Sequence, residues 1–152
     1  HVDFVIFVRS GLDSSKLLID GKFVGPCTAA YENYYAAALS KDIERFASLG
    51  ATTVLVTSVP SQQHRGQTDA HYQRYLTCAA CGNDLIRRVA KTHPDHTRLV
   101  DLESHLCRAS GCAKTLDGTE LRKDGTHYKD RGARLVAAWI LGQMGIDAAP
   151  DG

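Results

Sequence analysis

The chain has 152 residues, of which 43% are hydrophobic and 23% charged, a composition typical of a folded globular protein and not of a disordered one. Eighteen Lys and Arg residues stand against seventeen Asp and Glu residues, so no basic footprint for nucleic acid is present. No segment approaches the roughly 18 consecutive apolar residues of a transmembrane helix. We therefore expect one domain over residues 1–152.

The first predicted elements are a strand, a loop and a helix. Residues 2–8 form a nearly continuous apolar run rich in β-branched and aromatic residues, which is typical of a strand buried on both faces of a parallel sheet. Residues 10–28 are expected to be a long loop with a short ribbon at KLLIDGKFV. Residues 29–49 show helical periodicity, and Gly50 stands where a helix end favours glycine. The apolar stripe of this helix comprises Tyr35, Leu39, Ile43, Phe46 and Leu49.

The alternation of strands and helices continues to the end of the chain. Residues 51–60 predict a second buried strand ended by Pro60, and residues 97–102 predict a third. A helix is expected within 69–92, and a last helix over about 130–144. This order predicts an α/β fold, a three-layer α/β/α sandwich with a parallel sheet. Three strands are few for such a sheet, so we expect upstream strands to complete it and this chain to be its C-terminal portion.

The five cysteines predict disulfides and, with them, an oxidising compartment. Cys107 and Cys112 bracket a short loop, Cys78 and Cys81 form a C-A-A-C pair, and Cys27 stands alone. Zinc is the alternative, but the pairs lack a regular second C-x-x-C and a histidine at ligand spacing. We assign Cys107, Cys112, Cys78 and Cys81 to disulfides, while the pairing among Cys27, Cys78 and Cys81 stays open. No metal or cofactor is expected.

Asp124 and His127 are the candidate catalytic residues that the spacing suggests. They lie after the third predicted strand, and ligands bind outside the carboxyl ends of the strands in open parallel sheets. A carboxylate three residues before a histidine can fix the imidazole tautomer and aim the ring at a nucleophile. The same spacing also occurs in solvated turns that lead into a helix, so the spacing alone leaves both interpretations open.

Nearly the whole chain resembles a known superfamily, specifically over residues 97–141 and more loosely over residues 1–60. The segment VDLESHLC, the GC that follows it and DGTELRKDGTHYKDRGARLVAAWIL are similar to the closing part of the SGNH (GDSL-type) hydrolases. In that superfamily the last motif is Asp-x-x-His, followed by a helix opened by a glycine, here Gly132. More narrowly, the chain resembles the extracytoplasmic SGNH domain fused to bacterial multi-span membrane acyltransferases. Those domains share the Cys-loop-Cys before the histidine block, a strand ending like Val100-Asp101-Leu102, and the upstream pattern ASLGATTVLVTSVP.

The resemblance implies that Asp124 orients His127, and that His127 is the general base for a serine nucleophile. The family carries that serine in a Gly-Asp-Ser block at the end of its first strand, and no such block occurs in this chain. Ser14 in the closest string, Gly11-Leu12-Asp13-Ser14, lies too near the histidine block to be its equivalent. We therefore expect the nucleophile on a segment upstream of this chain.

The first predicted strand better matches the third block of the family, Gly-x-Asn, whose Asn helps to stabilise the oxyanion. In this chain Gly11 and Asp13 would form that block, with Asp in place of Asn. An ionised carboxylate would repel a developing oxyanion instead of donating to it. The donor would then be a backbone N–H or one of Arg9, Ser10 and Ser14, or the oxyanion hole would be built elsewhere.

The function implied by the resemblance is serine-dependent acyl transfer outside the bacterial cytoplasmic membrane. The N-terminal membrane acyltransferase domain of the parent protein would supply the acyl donor, and a cell-envelope glycan or glycolipid hydroxyl would be the acceptor. One alternative is an esterase in which water replaces the acceptor. Another is a degenerate SGNH domain that binds glycan or a partner, for which the missing Gly-Asp-Ser and Asp13 are the evidence.

Overall fold

The computed structural model describes residues 2–8, 16–62 and 66–147. The larger elements are β1 (Phe4–Val8), β2 (Leu17–Ile19), β3 (Lys22–Val24), α1 (Ala29–Ser48), β4 (Thr52–Val56), α2 (Asp69–Thr92), β5 (Thr97–Val100), α3 (Leu102–Leu106) and α4 (Asp130–Gln143). Two short antiparallel pairs lie between α3 and α4: β6 (Cys107–Arg108) with β7 (Gly111–Cys112), and β8 (Thr115–Leu116) with β9 (Thr119–Glu120). The predicted ribbon is the β2–β3 hairpin.

The described strands β1, β4 and β5 form a parallel sheet in that order. On the central strand β4, Val54 and Val56 pack with α3 and α4, whereas Leu55 packs with α1 and α2. Alternate side chains of one strand therefore meet helices on opposite faces of the sheet. This arrangement confirms the α/β class and the parallel sheet between helical layers. It also explains why β4 is apolar throughout, since both of its faces are buried.

Strand β1 differs from its prediction. Ile6 is 44% exposed, Phe7 37% and Val8 58%, so the prediction that this strand is buried on both faces is wrong. The reason is that β1 pairs with β4 along one edge, and within the described residues no strand pairs with its other edge. An unpaired, apolar edge of this kind is a ready template for a further strand.

The C-terminus of α1 follows the sequence prediction closely. Gly50 adopts φ +82°, a left-handed conformation that is easy for glycine. Its N–H donates to Ala47 O at 2.9 Å and the N–H of Ala51 donates to Phe46 O at 3.0 Å, which together form a Schellman cap. Leu49 is 69% exposed and does not join the buried stripe, because it is the cap residue beyond the last helical turn.

The disulfides confirm one prediction and correct another. Cys107 and Cys112 are bonded across the β6–β7 pair. Cys81 is bonded to Cys27, and Cys78 is a buried free thiol, so the assignment of Cys78 to a disulfide is wrong. Cys78 and Cys81 are three residues apart on α2, but Cys78 faces the protein interior whereas Cys81 meets the segment that precedes α1.

Gly132 allows α4 to approach the chain that precedes it. A Cβ atom at this position would lie 2.7 Å from the carbonyl oxygen of Leu121 and 2.8 Å from that of Glu120. Both neighbours are backbone atoms, which cannot move aside as a flexible side chain could. The glycine that opens the helix is therefore required by packing, and α4 then places Val136 in the core.

We predict that Gly132→Ala lowers the free energy of unfolding by about 1–3 kcal/mol, because the added methyl group pushes α4 away from residues 120 and 121. Gly142→Ala on the same helix is the matched control, since its Cβ would meet nothing within 4 Å. The control should be neutral or stabilising by up to about 1 kcal/mol. Chemical denaturation measures both, and equal stability of the two variants would contradict the packing argument.

We also predict that loss of the Cys27–Cys81 bond costs more stability than loss of Cys107–Cys112. The bonded residues are 54 positions apart in the first case and 5 in the second. Each disulfide restricts the unfolded chain, and the loss of entropy for loops of these lengths stabilises the fold by about 4 kcal/mol for Cys27–Cys81 and about 2 kcal/mol for Cys107–Cys112. Chemical denaturation of the two pairwise Cys→Ala variants tests this order of stabilities.

The pairing itself can be checked by tandem mass spectrometry of a non-reducing tryptic digest. The peptide of residues 23–41 should be linked to Cys81, and Cys78 should be alkylated. A link to Cys78 would contradict the assignment.

Candidate active site

A cleft of about 330 Å³ lies at the carboxyl end of the sheet. It is lined by the last residue of β1, the loop after β4, one residue of α2, the first residue of α3 and the turn before α4, namely Val8, Thr57, Ser58, Val59, Ser61, Tyr75, Leu102, Thr126, His127 and Tyr128. This is the edge of a parallel α/β sheet where ligands bind. The position agrees with the prediction that Asp124 and His127 lie near the ends of the strands.

The turn that carries His127 is organised by the carboxylate of Asp124. Its Oδ1 accepts hydrogen bonds from the backbone N–H groups of Thr126, at 3.0 Å, and His127, at 2.8 Å. Gly125, which lies between Asp124 and Thr126, adopts φ +76°, and this left-handed conformation lets the chain double back. An aspartate that accepts from the backbone two and three residues later is a recurrent turn-forming device. The backbone of His127 is therefore held by the carboxylate that also contacts its ring.

The second oxygen of Asp124 orients the imidazole. Oδ2 lies 3.0 Å from Nδ1 of His127. The backbone N–H of His127, followed by its ring, holds the pKa of Asp124 well below its usual range, so the carboxylate is ionised at neutral pH and accepts only. The neutral ring must then carry its proton on Nδ1, which leaves Nε2 as an acceptor. Within the described residues Nε2 has no hydrogen-bond partner, and the side chain is 71% exposed.

Lys129 also contacts the orienting carboxylate. Its Nζ lies 3.2 Å from Oδ2 of Asp124, the oxygen that faces the imidazole. This ion pair is solvent-exposed, with 58% of the lysine side chain and 40% of the aspartate side chain accessible, so solvent screens it strongly. The lysine shares the carboxylate with His127 and does not replace it.

Arg122 connects the His127 turn to the loop after β4. Its side chain is buried, and Nη1 donates to the carbonyl oxygens of Val59, at 3.3 Å, and Pro60, at 2.9 Å. Its guanidinium lies 5.2 Å from the centre of the Tyr128 ring, within cation–π distance. A second link is the backbone N–H of Gln62, which donates to Gly125 O at 2.9 Å. The loop and the turn are thus joined into one wall of the cleft.

Helix α2 fixes the other side of that loop. Asn83 is fully buried; its Oδ1 accepts from the backbone N–H of Ser58 at 2.9 Å, and its Nδ2 donates to Ser58 O at 2.8 Å. Two turns nearer the start of α2, Tyr75 and Tyr72 bond Ser61 through their hydroxyl groups. Because the polar backbone of a loop needs partners, these side chains hold it in a defined path into the cleft.

The ends of β4 and β5 are joined by Asp101. It accepts a hydrogen bond from the Thr57 hydroxyl at 2.9 Å and two from Arg87, at 2.9 and 2.8 Å. Burial alone would raise the pKa of Asp101, but hydrogen bonds from Arg87, Ser104 and Thr57 hold it below its usual range. Asp101 also caps α3. The predicted strands over 51–60 and 97–102 therefore end earlier, at Val56 and Val100, because the next side chains form this clamp.

The structure brings Asp124 and His127 together, and the catalytic roles expected of them stay predictions. Ser10, Gly11, Asp13 and Ser14 lie outside the described residues, so the oxyanion and substrate roles expected of them stay predictions. His93, the residue that caps the end of α2, lies 2.9 Å from the Ser40 hydroxyl. In the ranges 2–8, 16–62 and 66–147, no group of three or more His, Cys, Asp or Glu residues is placed to hold a metal ion.

Several residues that line the cleft or hold its walls in place were missed by sequence reasoning. Tyr72 and Tyr75 carried a usable signal, because their spacing of three places both hydroxyl groups on one face of α2 beside the loop after β4. Arg122 carried a weaker signal, namely its position two residues before the candidate catalytic residue Asp124. Asn83 carried none, since a polar residue inside a helix is ordinarily expected on the solvent face.

Comparison with known protein families gives a match over most of the chain. The family model described as "SGNH domain (fused to AT3 domains)" matches residues 8–141. No curated protein matches the chain at a significant level. None of the helices in the described part of the chain is both long and apolar enough to cross a membrane.

Proposed function

We propose that this chain, which belongs to the family of SGNH domains fused to AT3 domains, carries the base and the orienting acid of a serine-dependent O-acyl transfer. The observation that supports this most strongly is the 3.0 Å contact between Asp124 Oδ2 and His127 Nδ1. It leaves Nε2 of His127 at a cleft on the edge of the sheet where this fold binds ligands. An acid and a histidine with these roles form two thirds of a hydrolase-type triad.

In the first half of the proposed reaction, Nε2 of His127 takes the proton of the serine hydroxyl while the serine oxygen attacks the acyl carbonyl of the donor. Asp124 stabilises the imidazolium that forms. The imidazolium then returns the proton to the departing oxygen of the donor, which leaves an acyl-serine ester. In the second half, Nε2 takes the proton of the acceptor hydroxyl, the acceptor attacks the ester, and the serine leaves with that proton.

The serine in this proposal belongs to a segment upstream of the chain, which would make the chain the C-terminal portion of its domain. The edge of β1 that no described strand pairs with supports this placement, because Ile6, Phe7 and Val8 offer apolar contacts to another strand. A strand added parallel to β1 would end beside Val8, which lines the cleft with His127. A residue following such a strand would then face the imidazole.

The proposed acceptor is a hydroxyl of a cell-envelope glycan or glycolipid, and the proposed acyl donor is delivered by the membrane acyltransferase domain. Fusion to AT3 domains in the family supports the association with a membrane acyltransferase. The Cys27–Cys81 and Cys107–Cys112 disulfides support a location on the extracytoplasmic side, where thiols are oxidised.

His127→Ala in the full-length protein should reduce acylation of the cell envelope by about 10³-fold or more, because the serine loses its base. The side chain is exposed, so the variant should fold normally. His96→Ala, an exposed histidine in the turn between α2 and β5, is the matched control and should acylate at the wild-type rate. Mass spectrometry of envelope glycans measures the acyl content. Undiminished acylation in His127→Ala would refute the mechanism.

A second experiment distinguishes acyl transfer from ester hydrolysis, because water can replace the acceptor hydroxyl in the same steps. Turnover of p-nitrophenyl acetate by the purified full-length protein is followed with and without a neutral oligosaccharide. Transfer predicts an acylated sugar and faster release of nitrophenolate. Hydrolysis at an unchanged rate, with no acylated sugar, would identify an esterase.

A further inference from the structure

We propose that the hydroxyl groups of Ser61 and Tyr75 form a substrate-binding pair that donates one hydrogen bond to a neutral oxygen atom of the substrate. The two residues line the cleft that contains His127. This inference rests on the proposed function and adds to it a specificity-determining group. The substrate atom that accepts this bond is an uncharged oxygen with a free lone pair, such as that of a sugar hydroxyl or an ester carbonyl.

The geometry of the pair is well defined. The Ser61 Oγ lies 3.0 Å from the hydroxyl oxygen of Tyr75, and the backbone N–H of Ser61 donates to the same oxygen at 2.9 Å. The hydroxyl of Tyr72, one turn earlier on α2, donates to the carbonyl oxygen of Ser61 at 3.2 Å. The rings of Tyr72 and Tyr75 stack with their centres 6.2 Å apart. Apart from the bond between the two hydroxyl groups, the bonds that hold the pair in place do not consume its own protons.

A count of protons shows that one hydroxyl donor is unused. Ser61 and Tyr75 each carry one O–H proton, and the bond between their oxygens uses only one of the two. The backbone N–H of Ser61 occupies a lone pair of the tyrosine oxygen and not its proton. In the part of the chain that the structure describes, neither hydroxyl has another acceptor. Whichever residue donates within the pair, the other keeps a free proton.

Three other hydroxyl groups of the cleft, those of Thr57, Ser58 and Tyr128, lack such a proton or cannot present it. Thr57 donates to Asp101, and Ser58 lies 3.3 Å from Asn83 Oδ1, an oxygen that can only accept. The Tyr128 hydroxyl is itself buried, so it cannot meet a ligand from the cleft without rearrangement. Among the described residues, the Ser61–Tyr75 pair is thus a donor that faces the site without a protein acceptor. Because the pair is uncharged, it suits a neutral oxygen better than an anion.

The test compares three variants of the full-length protein: Ser61→Ala, the double variant Ser61→Ala with Tyr75→Phe, and the double variant Ser61→Ala with Tyr72→Phe. All three lack the bond within the pair. Only the second loses the remaining cleft proton, since the Tyr72 hydroxyl does not line the cleft. The second and third each also lose one tyrosine bond to the backbone of Ser61, so loosening of the loop is matched between them.

The substrates are p-nitrophenyl acetate as acyl donor and a neutral oligosaccharide as acceptor. Relative to Ser61→Ala, the Tyr75→Phe double variant should raise KM about 3- to 10-fold, the effect of one neutral hydrogen bond. A rise for the oligosaccharide alone identifies the acceptor hydroxyl as the bound oxygen. A rise for the ester as well identifies the ester carbonyl. The Tyr72→Phe double variant should keep the KM of Ser61→Ala.

Two results would overturn the inference. The first is an unchanged KM in the Tyr75→Phe double variant, and the second is an equal rise in both double variants, which would show a structural role only. A parallel measurement on His127→Ala keeps the two proposals apart. Turnover that survives His127→Ala refutes the proposed function. Turnover that requires His127 but keeps the same KM in the Tyr75→Phe double variant refutes this inference alone.

Discussion

The carboxylate of Asp124 bonds the backbone of its own turn with one oxygen and the imidazole of His127 with the other. The first set of bonds fixes where the histidine lies, and the second fixes how its ring is turned and which nitrogen holds the proton. Both are strongest when the carboxylate is ionised, and the hydrogen bonds that it accepts keep it ionised by holding its pKa low. An exposed pair is therefore preorganised without being buried, and the cleft can stay open to a large substrate.

The remainder of the cleft supports this turn through contacts between distant parts of the chain. Arg122 and Gln62 join the turn to the loop after β4, and Asn83 joins that loop to α2. Gly132 permits the close approach of α4, the helix that begins directly after the turn. Because each contact positions backbone rather than a single side chain, displacement of one wall of the cleft would be transmitted to the imidazole.

Sequence reasoning recovered what local periodicity encodes. The order of strands and helices, the Gly50 cap and the proximity of Asp124 to His127 depend on residues within a few positions of one another. It failed where long-range contacts decide: Cys81 is bonded to a residue 54 positions away, and the exposure of β1 depends on which strand lies beside it. The anchoring residues of the cleft belong to this second class, since nothing near Asn83 in the sequence indicates that its partner is Ser58.

In the proposed mechanism, His127 activates a serine carried outside this chain. Labelling the full-length protein with a fluorophosphonate, which reacts with activated serines, and locating the label by peptide mass spectrometry tests this claim directly. The mechanism requires one modified serine upstream of residue 1, and loss of the label in His127→Ala. A label on a serine within residues 1–152, such as Ser14, or a label that persists without His127, would contradict it.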